Sequence, residues 1–151
     1  MRKIAHTLLA SALLTLVLAG CGNNGTGTAV QTKEPAATVQ TERTAGGGMM
    51  TTVSVETIAN LIGQDSVRII DVRTPEEYAE GHLQGAENID VKAADFDEKT
   101  KDITGAVVVY CRSGRRSREA GLKLAGDNCL VLNMDGGILA WQKAGMPVTK
   151  E

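Results

Sequence analysis

A chain of 151 residues is long enough for one domain with a real core and too short for two ordinary ones. Its net charge is −2, and without Arg2 and Lys3 there remain 14 basic against 18 acidic residues, a balance that excludes a nucleic-acid-binding surface. Three cysteines are too few for a disulfide framework, and His6 and His82 cannot build a metal cluster with them, so no metal or other cofactor is expected.

Met1-Arg2-Lys3 and the mostly apolar run from Ile4 to Val17 have the charged start and short apolar stretch of a secretory signal, too short for a comfortable membrane span. The run ends in Leu18-Ala19-Gly20-Cys21, which resembles the bacterial lipobox. That resemblance implies removal of residues 1–20, acylation of Cys21, and a domain anchored by lipid to the cell envelope outside the cytoplasm. From Gly22 to about Gly48 the chain is rich in Gly, Thr, Ala, Gln and Asn and cannot bury enough apolar surface to offset ordering. Residues 21–51 are therefore expected as a flexible tether, with a reach on the order of 30 Å, ahead of a domain over 52–149.

Within that domain Ser54 is placed to cap a helix over 55–62, whose apolar stripe is Ile58, Ala59, Leu61 and Ile62 and whose stop is Gly63. Val67 to Val72 is a strand delivering Asp71 and Arg73 at its end. Thr74-Pro75-Glu76-Glu77 has the composition of a capping box and opens a short helix closed by Gly81. A short strand is expected near Ile89, helix around Ala93 to Phe96, and a strand buried on both faces from Val107 to Tyr110. After a helix from Arg115 to Ala125 come a turn, a strand from Cys129 to Leu132, the tight turn Asp135-Gly136-Gly137, and a last helix carrying Ile138, Leu139 and Trp141. Strands alternating with helices argue for a parallel, doubly covered sheet.

The chemistry concentrates in Cys111-Arg112-Ser113-Gly114-Arg115-Arg116-Ser117-Arg118, where a strand empties into a cationic, glycine-bearing turn ahead of a helix. Exposed amides at a helix start and four arginines both favour the thiolate of Cys111, the nucleophilic form, and would hold a small oxyanion beside it. The bland alternative is a core cysteine next to a solvated basic helix start. Cys129 fits a small core hydrophobe, and a Cys111–Cys129 redox pair stays open. A cysteine phosphatase would place an arginine six positions after its nucleophile, where this chain has Ser117.

Asp71-Val72-Arg73-Thr74-Pro75-Glu76-Glu77-Tyr78, Gly81-His82-Leu83-Gln84-Gly85-Ala86, the Cys111 loop, and Gly136-Gly137 with Ala140-Trp141 and Gly145-Met146-Pro147-Val148 together resemble the rhodanese family. The resemblance covers the expected domain and implies a single rhodanese-like α/β domain with a central parallel sheet of about five strands covered by helices on both faces. It further implies a sulfurtransferase that carries a sulfane sulfur as a persulfide on Cys111, cradled by backbone amides of Arg112, Ser113, Gly114, Arg115 and Arg116. Asp71, Arg73 and His82 would support the site without doing chemistry, and Trp141 would fill the core beside it. The loop is unlike the Cys-Gly-Ser-Gly-Val-Thr pattern associated with mercaptopyruvate and partly resembles the Cys-Arg-Lys-Gly-Val-Thr of thiosulfate enzymes. A thiosulfate-like donor, a thiol or cyanide acceptor and a monomeric protein are the expectation. A persulfide or redox carrier working with a partner protein, a cysteine phosphatase or arsenate reductase, and a silent binding module are the alternatives.

Overall fold

The computed structural model describes residues 39–44, 47–126 and 128–150. The expected leader, Cys21 and the expected tether up to residue 38 lie outside the described residues.

The sheet is built around β5 (Gly105–Tyr110), in which Val107, Val108, Val109 and Tyr110 are all fully buried. Alternation along the strand sends Val107, Val109 and Cys111 into one core and Val108 and Tyr110 into the other, so both faces must be covered. The first core is closed by α3 (Phe96–Thr100) and α4 (Arg115–Leu124) through Phe96, Ala120 and Leu124. Val55 and Ile58 of α1 (Val55–Ala59) and Ile138 and Trp141 of α5 (Gly137–Lys143) close the second, with Tyr78 of α2 (Pro75–Ala79) packed against it.

Six strands are described, in the order β1-β2-β6-β5-β3-β4. Those after the first, β2 (Met49–Val53), β3 (Val67–Asp71), β4 (Ala86–Asn88), β5 and β6 (Cys129–Met134), are mutually parallel, as expected. β1 (Gln40–Arg43) is an antiparallel edge strand on β2. Both β1 and β2 lie largely in the segment expected to be tether, so the ordered domain starts earlier than residue 52. Tertiary partners account for the difference. Met50 is fully buried, Glu42 pairs with Arg118, and the Thr44 hydroxyl donates to the Ala125 carbonyl at 3.4 Å.

Local signals set most helix starts. Ser54 accepts from the Thr57 amide at 3.4 Å, and Thr74 and Glu77 complete the capping box. α1 is shorter than its apolar stripe suggested, because Asn60 caps it and the chain continues through turns to Gly63 at φ +83°. The helix expected around Ala93 to Phe96 begins instead at Phe96, whose 2% exposed ring anchors that turn in the core.

Because the five parallel strands share one direction, their carboxyl ends form a single edge carrying Asp71, Cys111 and Met134. Cys129 lies at the opposite edge, paired in register with Gly105. Six residues of strand rise separate Gly105 from Cys111, about 20 Å, whereas a disulfide needs Cα atoms within about 7 Å. The Cys111–Cys129 pair left open by the sequence cannot form in this fold.

Candidate active site

Cys111 leaves β5 at its carboxyl end and is 1% exposed. Gly114 follows at φ +93°, a left-handed conformation that turns the chain back on itself and aims its amide at the Cys111 sulfur, N to Sγ 3.2 Å. The Ser117 hydroxyl, in the first turn of α4, lies 3.6 Å from the same sulfur and 3.1 Å from the Gly114 carbonyl oxygen. Burial alone would hold the thiol protonated. The Ser117 hydroxyl and the amides of Ser117, Ser113 and Gly114 outweigh it and lower the Cys111 ionisation from its ordinary value. Of the five residues expected to supply amides, Gly114 does so by a described hydrogen bond, and the Ser113 amide also acts to lower the Cys111 ionisation. The described hydrogen bonds give no such contact from the amides of Arg112, Arg115 or Arg116. Ser117 is the residue that sequence reasoning missed as a donor, although counting six positions from the cysteine had already singled it out.

The loop is held from behind by the turn after β6. Amides of Ile138 and Leu139, at the start of α5, donate to the carbonyls of Cys111 and Arg112 at 2.9 and 3.1 Å. Those carbonyls therefore point away from the sulfur, leaving the amide side of the loop facing it. Gly137 makes this approach possible, since a Cβ there would stand 2.4 Å from the Cys111 carbonyl oxygen.

Asp71 and Arg73 form a buried ion pair, with Arg73 Nε 2.9 Å from each carboxylate oxygen and Nη2 2.7 Å from the Gly81 carbonyl. The pair sits beside Tyr110, the register partner of Asp71, and the Arg73 guanidinium lies 5.8 Å from the Tyr110 ring centre. The Tyr110 hydroxyl accepts from the Leu83 amide at 3.0 Å, and burial pushes its ionisation far up. His82 is 1% exposed, stacked on Tyr78 at 3.7 Å between ring centres, with Nδ1 3.1 Å from the Tyr78 carbonyl oxygen, which a protonated Nδ1 can bond. Its main chain bridges to Thr149. Trp141, 2% exposed, donates from Nε1 to the Pro147 carbonyl at 2.8 Å. None of the described hydrogen bonds of these residues reaches the Cys111 sulfur.

The four arginines divide in two. Arg116 makes two bonds of 2.6 and 2.7 Å to Glu77, and that guanidinium, despite some burial, holds the Glu77 carboxyl down to about 2. Arg118 is bound by Glu42 of β1, Nε to Oε1 2.7 Å. Arg112 and Arg115 are exposed and outside the described ion pairs. With Glu77, Lys92, Ser113 and Arg116 they line a cleft of about 320 Å³ beside the loop. Among the described residues no three His, Cys, Asp or Glu side chains are grouped as metal ligands would be.

A small α/β domain that presents an activated thiol in an amide-lined, cationic loop is a nucleophilic transfer protein in form. Residues 54–144 match the family described as Rhodanese-like domain, and the chain belongs to it. A protein of Allochromatium vinosum named sulfurtransferase is 35% identical over 89 residues, covering 58% of this chain and 83% of that one. An uncharacterized protein of Synechocystis is 32% identical over 101 residues, and this match spans 66% of the chain but only 56% of that longer protein. The crystal structure of a rhodanese-related protein from Thermoplasma volcanium superposes with a TM-score of 0.55 at 28% identity, covering 66% of this chain and 98% of that one.

Proposed function

We propose that the protein is a thiosulfate-type sulfurtransferase working through a persulfide on Cys111. The observation that carries the reading is the Cys111 sulfur facing the Gly114 amide at 3.2 Å and the Ser117 hydroxyl at 3.6 Å, in a loop whose carbonyls are tied off elsewhere. Donors of this kind stabilise negative charge on sulfur, as thiolate before transfer and as persulfide after it. In the first half-reaction the Cys111 thiolate attacks the outer sulfur of thiosulfate. The new bond joins the two sulfurs, the bond to the sulfonate sulfur breaks, and sulfite departs with the electron pair. In the second, a thiophilic acceptor takes the outer sulfur and restores the thiolate. Neither half-reaction consumes an external electron or proton.

Phosphoryl transfer is disfavoured by the arginines. The position six after Cys111 is a serine, Arg116 is bound twice by Glu77, and Arg118 is held by Glu42. Anchoring through an acylated Cys21, with the domain outside the cytoplasm, rests on the Leu18-Ala19-Gly20-Cys21 pattern and the apolar run ahead of it.

The direct test incubates the purified full chain with thiosulfate and weighs it. One added sulfur atom on Cys111, sulfite release, and thiocyanate formation with cyanide are expected, with negligible hydrolysis of aryl phosphates. Phosphatase turnover lost in Cys111→Ser, without a sulfur adduct, would refute the reading. For location, mass spectrometry should find Cys21 acylated and residues 1–20 absent; a mature protein retaining Met1 would refute the anchor.

A further inference from the structure

The cleft beside the loop is larger and more cationic than a single sulfur oxyanion requires. At about 320 Å³ it lies at the lower end of small-molecule sites, which run from about 300 to 1,000 Å³. Its cations come from two separate parts of the chain. Arg112 and Arg115 belong to the Cys111 loop, whereas Lys92 sits on the connection between β4 and α3. Glu77 is bound twice to Arg116, and Asp90, whose charge also acts on Arg116, accepts the Lys92 amide at 2.9 Å. Lys92, Arg112 and Arg115 thus stand outside the described ion pairs, a state that among the described cations only Arg43, Lys143 and Lys150 share. Three cations that line one concavity without an ion-pair partner among the described residues repel one another, and an anion between them relieves that repulsion.

We propose that this cleft recognises the sulfur acceptor, and that the acceptor is a low-molecular-weight thiol bearing two or more anionic groups, with Lys92 as the specificity-determining residue outside the loop. The inference rests on the sulfurtransferase reading above. A compact dianion at the sulfur is served by the two loop arginines. A longer molecule, with its thiol at the loop and its anionic groups spread along the cleft, engages Lys92 as well. The outer sulfur of the persulfide stands about 2 Å beyond Sγ, so the acceptor does not need to reach the buried Sγ itself. The acceptor thiolate attacks that outer sulfur, the bond to Cys111 breaks, the electron pair returns to Cys111 as thiolate, and the product leaves as the acceptor's persulfide anion.

The experiment compares acceptors on the full chain, with persulfide loading from thiosulfate weighed separately beforehand. Coenzyme A carries phosphates, glutathione carboxylates, and 2-mercaptoethanol no charge besides its thiol. One of the anionic thiols at least should show a KM about three- to tenfold below that of the neutral thiol, as expected for two or more exposed ion contacts, and the gap should shrink with added salt. Which of the two gains more tells phosphate from carboxylate recognition. In Lys92→Glu the ratio of anionic to neutral KM should rise about tenfold, while Lys92→Arg should keep it low. A chain that loads sulfur but treats charged and neutral thiols alike, or a Lys92→Glu variant with an unchanged ratio, overturns this inference and leaves the sulfurtransferase reading standing. Should loading itself fail, binding of the unreactive S-methyl derivatives of glutathione and coenzyme A decides the matter: saturable binding of either, lost in Lys92→Glu, supports the cleft, and absence of binding by both overturns it.

Discussion

The two cysteines of the domain share residue type, burial and strand context, yet their chemistry diverges. Cys111 directly follows β5 at the carboxyl edge of the sheet and Cys129 begins β6 at the amino edge, 1% and 7% exposed. At Cys111, helix-start amides and the Ser117 hydroxyl overcome burial and lower the ionisation. At Cys129 burial acts unopposed and raises it. Concavity does not explain the contrast, because Cys129 lines two clefts of about 380 and 420 Å³, both larger than the one beside Cys111. What distinguishes the reactive edge is the direction of its donors. A parallel sheet brings strand ends and helix starts together at one edge only, and a buried sulfur becomes a nucleophile where amides point at it.

Exchanging the cysteines one at a time gives the largest expected effect. Cys111→Ser should abolish sulfur loading and turnover, whereas Cys129→Ala should retain both and cost about 1 kcal/mol of stability as an ordinary core truncation. A loss of turnover in Cys129→Ala at unchanged folding would break the contrast between the edges. Removing the scaffold of the reactive edge comes next. Asp71→Ala leaves Arg73 buried without its carboxylate and should destabilise the fold by about 3–5 kcal/mol in denaturant titration.

Ser117→Ala sharpens the comparison by making the Cys111 environment more like that of Cys129. With one donor gone, the Cys111 ionisation should rise, and because only the thiolate reacts, loading at neutral pH should slow by up to about tenfold for each pKa unit gained and recover as pH is raised. An unshifted pH profile would remove Ser117 from the account. The smallest effects belong to the exposed cations: Arg112→Ala and Arg115→Ala should each raise the KM for thiosulfate about two- to fivefold, less so at high salt. Unchanged kinetics in both would argue against an arginine-lined site.

The sequence resolved what depends on near neighbours. Apolar β-branched residues at Val107 to Val109 announced a strand buried on both faces, and Thr74 with Glu77 announced a capping box, since both signals are complete within a few residues. Cys111 was exposed by its place between such a strand and a helix start. What escaped depends on distant partners. Met49 to Val53 becomes a strand through pairing with β6, about eighty positions on, and a run of five residues behind a glycine cluster shows no sign of that partner. The division of four arginines into two paired and two unpaired is set by Glu77 and Glu42, neither readable as a partner from spacing. Lys92 joins the cleft only through the fold.

The contrast between the two sulfurs is tested most directly by alkylating the full chain with iodoacetamide across pH and following each cysteine by peptide mapping. Cys111 should become reactive with a midpoint below that of an ordinary free thiol measured alongside, while Cys129 stays unmodified or reacts only at higher pH. A Cys111 midpoint at or above the ordinary value, or Cys129 reacting first, would contradict the assignment of the carboxyl edge as the activated one.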